Sequence, residues 1–296
     1  MPRVEERRLQ QLRGSSYVLT LPKDWVEGQG LGKGASVLLL TDPGLLIVVP
    51  SERAGGTAVD VELDVVGERR LEYLAKVLYK IGVNQIRFRT REPIQQVMSR
   101  LRRLRREIHG LIVTAPSEHE SLASFSDEVF ASLEQGIRVF LMTLASAAQS
   151  AAKQTGSGET STLQDELADC RLYALALFRH VSGMITRPSR DLVIQALPLA
   201  GVVSARMLDL CDAFEEFATR GGDVSSVVGT FAELVSELTD AVGGDHESLE
   251  RVEDKLRGVV TGRILEDCRA YELFTTLSKA TESIKELMLI KMTLSV

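Results

Sequence analysis

Three carboxylates, Asp209, Asp212 and Glu216, fall within about 60° of one another on a helical wheel, close enough to share a hard divalent or ferric cation. They also lie opposite the apolar stripe Leu199, Val203, Met207, Leu210, Phe214 and Phe217, so a solvated helix face accounts for them as well. The glycine run "GQGLGKGAS" invites a different chemistry, because backbone N–H groups in glycine-rich loops cradle phosphates. Its spacing refuses that reading: Glu27 stands where a nucleotide-binding loop needs its first glycine, and Gly34 stands where Ser or Thr must follow the lysine. A third stretch, "RLRRLRRE", sets Arg100, Arg102, Arg103, Arg105 and Arg106 around Leu101 and Leu104. Nucleic acid is one occupant for such a face and the chain's own acidic helices are another, while no aromatic side chains interleave for base stacking. The four histidines share no HxxxH spacing, and no serine elbow is present, so no enzyme is expected.

The elements that must position these residues differ sharply in charge. The net charge of −6 hides five basic and two acidic residues in 1–23, twelve and two in 69–106, and sixteen and twenty-nine in 107–296. One end can meet a polyanion and the other repels it. Cys170, Cys211 and Cys268 form no CxxC pair, which excludes a zinc knuckle or disulfide framework and fits a reducing cytoplasm. The start "MPRVEERR" is charged, and the low-polarity stretch from Leu192 to Ala205 carries Gln195 and Pro198, so neither signal peptide nor membrane span is expected.

Hydrophobic periodicity predicts a mainly α chain in three segments. In 1–53, "SYVLTL" alternates as a strand, Pro22 suits a short helix through Trp25 and Val26 that Gly30 caps, and "ASVLLL" and "LLIVVP" are strands joined by "TDPG". So small a unit cannot bury both faces of its sheet alone, which argues for a homodimer. In 57–117, "AVDVEL", "NQIRFR" and "GLIVTAP" are strands alternating with two helices, giving a small α/β domain. From 118 to 296 the chain is helical, with six apolar stripes in two sets of three, about 126–220 and 223–294, divided at Gly221 and Gly222.

The stretch "LPKDWVEGQGLGKGASV" resembles the swapped-hairpin unit of the AbrB and MazE families. That resemblance implies two intertwined copies whose basic β-surface lies on DNA, with Arg7, Arg8, Arg13 and Lys23 as the candidate contacts. One departure is Ala35, where that pattern commonly carries an acidic residue. The remainder resembles the PhoU family in its archaeal form, where a PhoU bundle follows an AbrB-like domain. "HGLIVTAPSEHESLASFS" is similar to the family's entry strand and "LQDELADCRLYALALFRHV" to its second helix, with "SARMLDLCDAFEEFA" and "FTTLSKATESIKELM" at the third helix of each repeat.

The PhoU resemblance implies regulation of phosphate uptake and acidic E/DxxxD pairs that bind metal. Here the second repeat offers Thr275 and Lys279 instead, and the second helix offers Glu166 with Cys170 or Asp165 with Asp169. The two resemblances together imply a dimeric DNA-binding regulator of phosphate homeostasis that requires no cofactor. The rivals are an adaptor that binds a phosphate transporter component or sensor kinase without DNA, and an antitoxin-like repressor.

Overall fold

The structure is a computed structural model that describes residues 5–11, 14, 16–42, 45–51, 57–66, 70–91, 93–126, 129–153, 160–184, 196–219, 225–261 and 268–294. It divides into two compact units, Met1–Gly55 and Gly56–Val296.

In the first unit, β1 (Gln10–Gln11) pairs antiparallel with β2 (Tyr17–Val18), a shorter pairing than the six-residue alternation "SYVLTL" predicts. Helix α1 (Lys23–Gly28) follows Pro22, whose fixed φ starts the turn. Gly30, at φ +69°, ends it. The Leu31 N–H donates to Val26 O and the Gly30 N–H to Glu27 O, both at 3.0 Å, the two bonds of a glycine C-cap. Strands β3 (Val37–Asp42) and β4 (Leu45–Pro50) form a hairpin in full register, Val37 opposite Pro50 and Asp42 opposite Leu45.

The second unit begins with a sheet ordered β5 (Thr57–Glu62), β6 (Val83–Arg89), β8 (Glu120–Ser124), β7 (Ile112–Ser117). Strands β5 and β6 run parallel, joined through the short helix α2 (Leu63–Val66) and the longer α3 (Leu71–Lys80), while β8 is antiparallel to both its neighbours. Helix α4 (Gln95–Arg103) continues into a 3-10 turn at Leu104–Arg106 before β7. Val61, Ile86, Phe88, Val113 and Ala123 supply the sheet's side of a core that α3 and α4 complete with Leu71, Ala75, Tyr79, Val97 and Leu101. The sequence places the end of this domain at 117, but β8 carries the sheet to Ser124. Its buried positions are Ser121 and Ala123, too small to mark an apolar alternation, which is why "HESLASF" does not read as a strand.

Six helices follow: α5 (Leu133–Lys153), α6 (Thr160–Met184), α7 (Leu197–Thr219), α8 (Ser225–Ala241), α9 (His246–Thr261) and α10 (Cys268–Leu294). Each set of three packs in sequence order, and the sets meet first helix to first and third to third, α5 on α8 and α7 on α10. One continuous core runs through them. At its seam the Phe214 ring of α7 stacks on Phe231 of α8 at 5.2 Å, and Phe231 meets Phe274 of α10 edge-on at 6.1 Å. Gly136 lets α5 and α6 approach closely, because a Cβ there would lie 2.7 Å from Leu177 and 2.8 Å from Phe130. Among the described residues no helix is long and apolar enough to cross a membrane.

The α/β layer is fastened to α6. Leu175 of that helix belongs to the sheet's core, and the buried Arg179 reaches across to the layer's backbone. Its guanidinium donates to Val83 O at 2.7 Å, Ser126 O at 3.2 Å and Tyr79 O at 3.4 Å, and lies over the rings of Tyr79 and Phe125 at 5.0 and 5.5 Å. The Ser182 hydroxyl adds a bond to Lys80 O at 2.7 Å.

Tyr79 itself is fully buried, and its hydroxyl has no hydrogen-bond partner among the described residues. Burial pushes this phenol up to about 12, against the lowering pull of the Arg179 guanidinium. The folded state therefore holds its proton more tightly than the unfolded chain, whose tyrosine titrates near 10. The resulting stability is present in full below pH 10 and is lost as pH rises toward 12, by roughly 2 to 3 kcal/mol in total. Denaturant titrations at pH 9 and pH 12 should show this loss in the natural protein and a smaller loss in Tyr79→Phe. At pH 7 that variant should be no less stable, since it removes a buried hydroxyl that nothing satisfies.

Candidate nucleic-acid interface

The first unit has apolar strands but no interior. Among its described residues only Pro50 is buried, while Leu39 is 59% exposed, Leu46 48% and Leu38 41%. The register explains why: Leu39, Val48 and Leu46 fall on one face of the hairpin and Leu38 and Val49 on the other, so both faces are apolar. Among the described residues of this unit, neither face is fully covered: Leu38, Leu39 and Leu46 stay exposed and Ile47, Val48 and Val49 are only half-buried.

The cations predicted to touch DNA lie in this same unit. Arg7 is ion-paired with Glu5, so part of its charge is already met. Arg8 is exposed and has no ion pair among the described residues. Arg13 lies outside the described residues. Lys23 opens α1 and stands 3.6 Å from Glu27 with its side chain 83% exposed, a contact too solvated to hold it. Lys33 belongs with these, although by spacing it stands out only as the lysine of a failed phosphate loop. It is exposed in the turn before Gly34, whose φ of +86° sets the turn's path. The glycines around it are the signal that a turn would present this side chain to solvent.

Two of the three predicted metal ligands meet the protein's own cations. On α7, Asp212 accepts two hydrogen bonds from Arg171 of α6, at 2.8 and 3.2 Å, and Glu215 pairs with the same guanidinium. Asp209 pairs with Arg206 at 3.3 Å, and Glu216 is exposed further along the helix. Among the described residues no three His, Cys, Asp or Glu side chains converge as a metal site. Arg171 lies 41 residues from Asp212 in sequence, so a helical wheel of α7 alone could not reveal the pairing.

On α6, the alternative pairs separate by burial. Cys170 is interior, and its hydrogen bond with Cys211, together with burial, pushes the thiol far up, so it remains an un-ionised packing group. Glu166 accepts a hydrogen bond from Ser146 at 2.8 Å. The Asp169 carboxyl is raised by burial and by the charges of Asp165 and Glu166 beside it. His180 packs its ring edge-on to Phe130 at 6.1 Å.

A cleft of about 710 Å3 opens at the carboxyl ends of β5 and β6, where ligands commonly bind parallel strands. Its charges are matched from within: Arg89 lies 3.5 Å from Glu62 and from Glu120, and Arg91 lies 3.4 Å from Asp64. Those pairs leave the cleft no strong pull on a charged ligand.

Comparison with curated proteins and with solved structures found no match. The hairpin unit does have a counterpart: residues 10–55 match the family described as antidote-toxin recognition MazE, bacterial antitoxin.

Proposed function

We propose that the protein is a DNA-binding regulator that dimerises through its N-terminal β unit and uses its helical unit to sense a signal or hold a partner. The observation that carries this is the hairpin: two apolar faces with no core of their own, in a stretch similar to a MazE-type domain and bearing exposed Arg8, Lys23 and Lys33. A second copy supplies the missing cover, and the cations of two copies together form a broader basic surface. The finer reading, control of phosphate uptake, is supported by the PhoU resemblance of residues 118–296 and by helices that pack as two sets of three. In that reading the helical unit responds to phosphate directly or through a transporter component or sensor kinase.

Fluorescence anisotropy of the full-length protein on promoter DNA of its own operon, titrated with salt with and without phosphate, tests both levels. Tight, sequence-selective binding that weakens with salt is expected. Replacing Arg7, Arg8 and Arg13 together by alanine should lower the salt slope by about two to three, close to one for each phosphate that is no longer neutralised. An unchanged slope would remove those residues from the DNA site, and no binding above the non-specific level would favour an adaptor without DNA.

A second reading, an antitoxin, is favoured by the description of the matching family. It predicts co-purification with a small toxin. The packed six-helix core of the second unit speaks against it, since antitoxin tails tend to be short and unfolded until bound.

A further inference from the structure

We infer that the arginine face of α4 is a second phosphate-binding surface, located in the Gly56–Val296 unit, which takes the backbone of double-stranded DNA; this rests on the DNA reading above. The helix is fixed from beneath. Val97, Met98, Leu101, Leu104 and Ile108 are all buried, which leaves the outward sector of α4 and its 3-10 turn to the arginines.

The nearby carboxylates are already engaged. Arg100, nearest the protein surface at 24% side-chain exposure, pairs with Glu72 at 3.1 Å, and Glu107 pairs with Lys76. Arg102, Arg103, Arg105 and Arg106 are exposed, and among the described residues none has an ion pair, hydrogen bond or ring contact. Elsewhere in the same unit Arg87, Arg89, Arg171 and Arg257 each lie within 4 Å of a carboxylate. Carboxylates outnumber cations over the whole unit, thirty-five to twenty-eight in residues 56–296, so unpaired guanidiniums are not what this unit's composition would leave by default.

The four guanidiniums span about 6 Å along the axis and roughly half the circumference of the helix. A helix C-terminus favours cations through its dipole, but that effect is confined to the last turn and does not call for four. Their planar forks suit phosphate oxygens, and duplex DNA presents one such charge about every 1.7 Å. Residues 99–107 hold no aromatic side chain, so bases have no stacking platform here and the duplex backbone is the better fit than an unwound strand.

The test uses the full-length protein, a variant with R102Q, R103Q, R105Q and R106Q together, and the corresponding fourfold lysine variant, on one promoter duplex between 50 and 200 mM salt. The glutamine variant should lose about three to four from the salt slope, so that over this range its affinity falls by roughly a hundredfold less than that of the natural protein. The lysine variant should keep the natural slope to within about one, because point charges suffice for the electrostatic term.

If the natural protein binds and the glutamine variant has the same slope, this inference fails and the DNA reading stands. If the natural protein binds no DNA, both fail. Equal losses in the lysine and glutamine variants would show that charge is not what the face contributes. A fall in oligomeric mass of the glutamine variant, measured by sedimentation without DNA, would assign the face to the acidic helices of a second copy and overturn the inference.

Discussion

Replacing Arg179 by alanine should destabilise the Gly56–Val296 unit by about 2 to 4 kcal/mol, toward the upper end of what single substitutions do. Arg179 is 4% exposed and donates to Tyr79 O, Val83 O and Ser126 O; its removal takes the guanidinium from the buried Val83 O, while Tyr79 O keeps the Gly82 N–H at 3.0 Å and Ser126 lies exposed to water. Each unsatisfied buried acceptor costs roughly 1 to 3 kcal/mol, and the stacking on Tyr79 and Phe125 disappears as well. Lysine keeps the charge but offers one ammonium where a fork reaches several acceptors, so Arg179→Lys should recover only part of the stability.

Because the bonds run from α6 to the α/β layer, damage should be local before it is global. Hydrogen exchange at the amides of β6 and β8 should quicken in Arg179→Ala while the amides of α8 and α10, held by the phenylalanine seam, keep their protection. Equal acceleration everywhere would mean that the layer and the bundle open as one. Unchanged exchange would remove Arg179 from the role of fastener.

Arg179 also marks the limit of what periodicity can reveal. The stripe from Leu163 to Met184 shows α6 and its buried side plainly, because apolar residues recur at the helical period. A cation between Phe178 and His180 reads only as an interruption, since its partners are backbone carbonyls of residues up to 100 positions away. The cap at Gly30 is legible for the opposite reason: glycine there answers a local backbone requirement. Strand β8 is hidden because Ser121 and Ala123 fill a narrow gap with small side chains.

The candidate sites divide in the same way. The carboxylates of α7 are visible as a helical face, but Arg171, which engages Asp212, comes from another helix. The arginines from 100 to 106 are visible as a run; that Arg102, Arg103, Arg105 and Arg106 lack partners among the described residues while Arg100 meets Glu72 is a property of the folded unit.

The largest expected effect on function comes from the hairpin. Leu39→Glu, combined with Leu46→Glu, should split the dimer and lower DNA affinity by more than about a hundredfold. The two side chains share a face of the β3–β4 hairpin with Val48 and are 59% and 48% exposed in the single chain. Covering a leucine is worth about 1.5 to 3 kcal/mol, and two-fold symmetry counts each residue twice. Glutamate forfeits that gain and carries a charge into the seam, where desolvation adds to the cost. DNA affinity then falls because one copy meets the duplex with half the cations, and the avidity of the pair is gone.

The Gly56–Val296 unit has its own cores, so its helical circular dichroism should be unchanged, which separates loss of the dimer from loss of the fold. A double variant that stays dimeric and binds DNA normally would show that the hairpin faces are covered by something other than a second copy. A variant that becomes monomeric yet binds DNA with full affinity would place the DNA contacts outside the β unit. Dissociation of a natural dimer that never bound DNA would leave the hairpin as a dimerisation device, and the helical unit as the part that meets a partner protein.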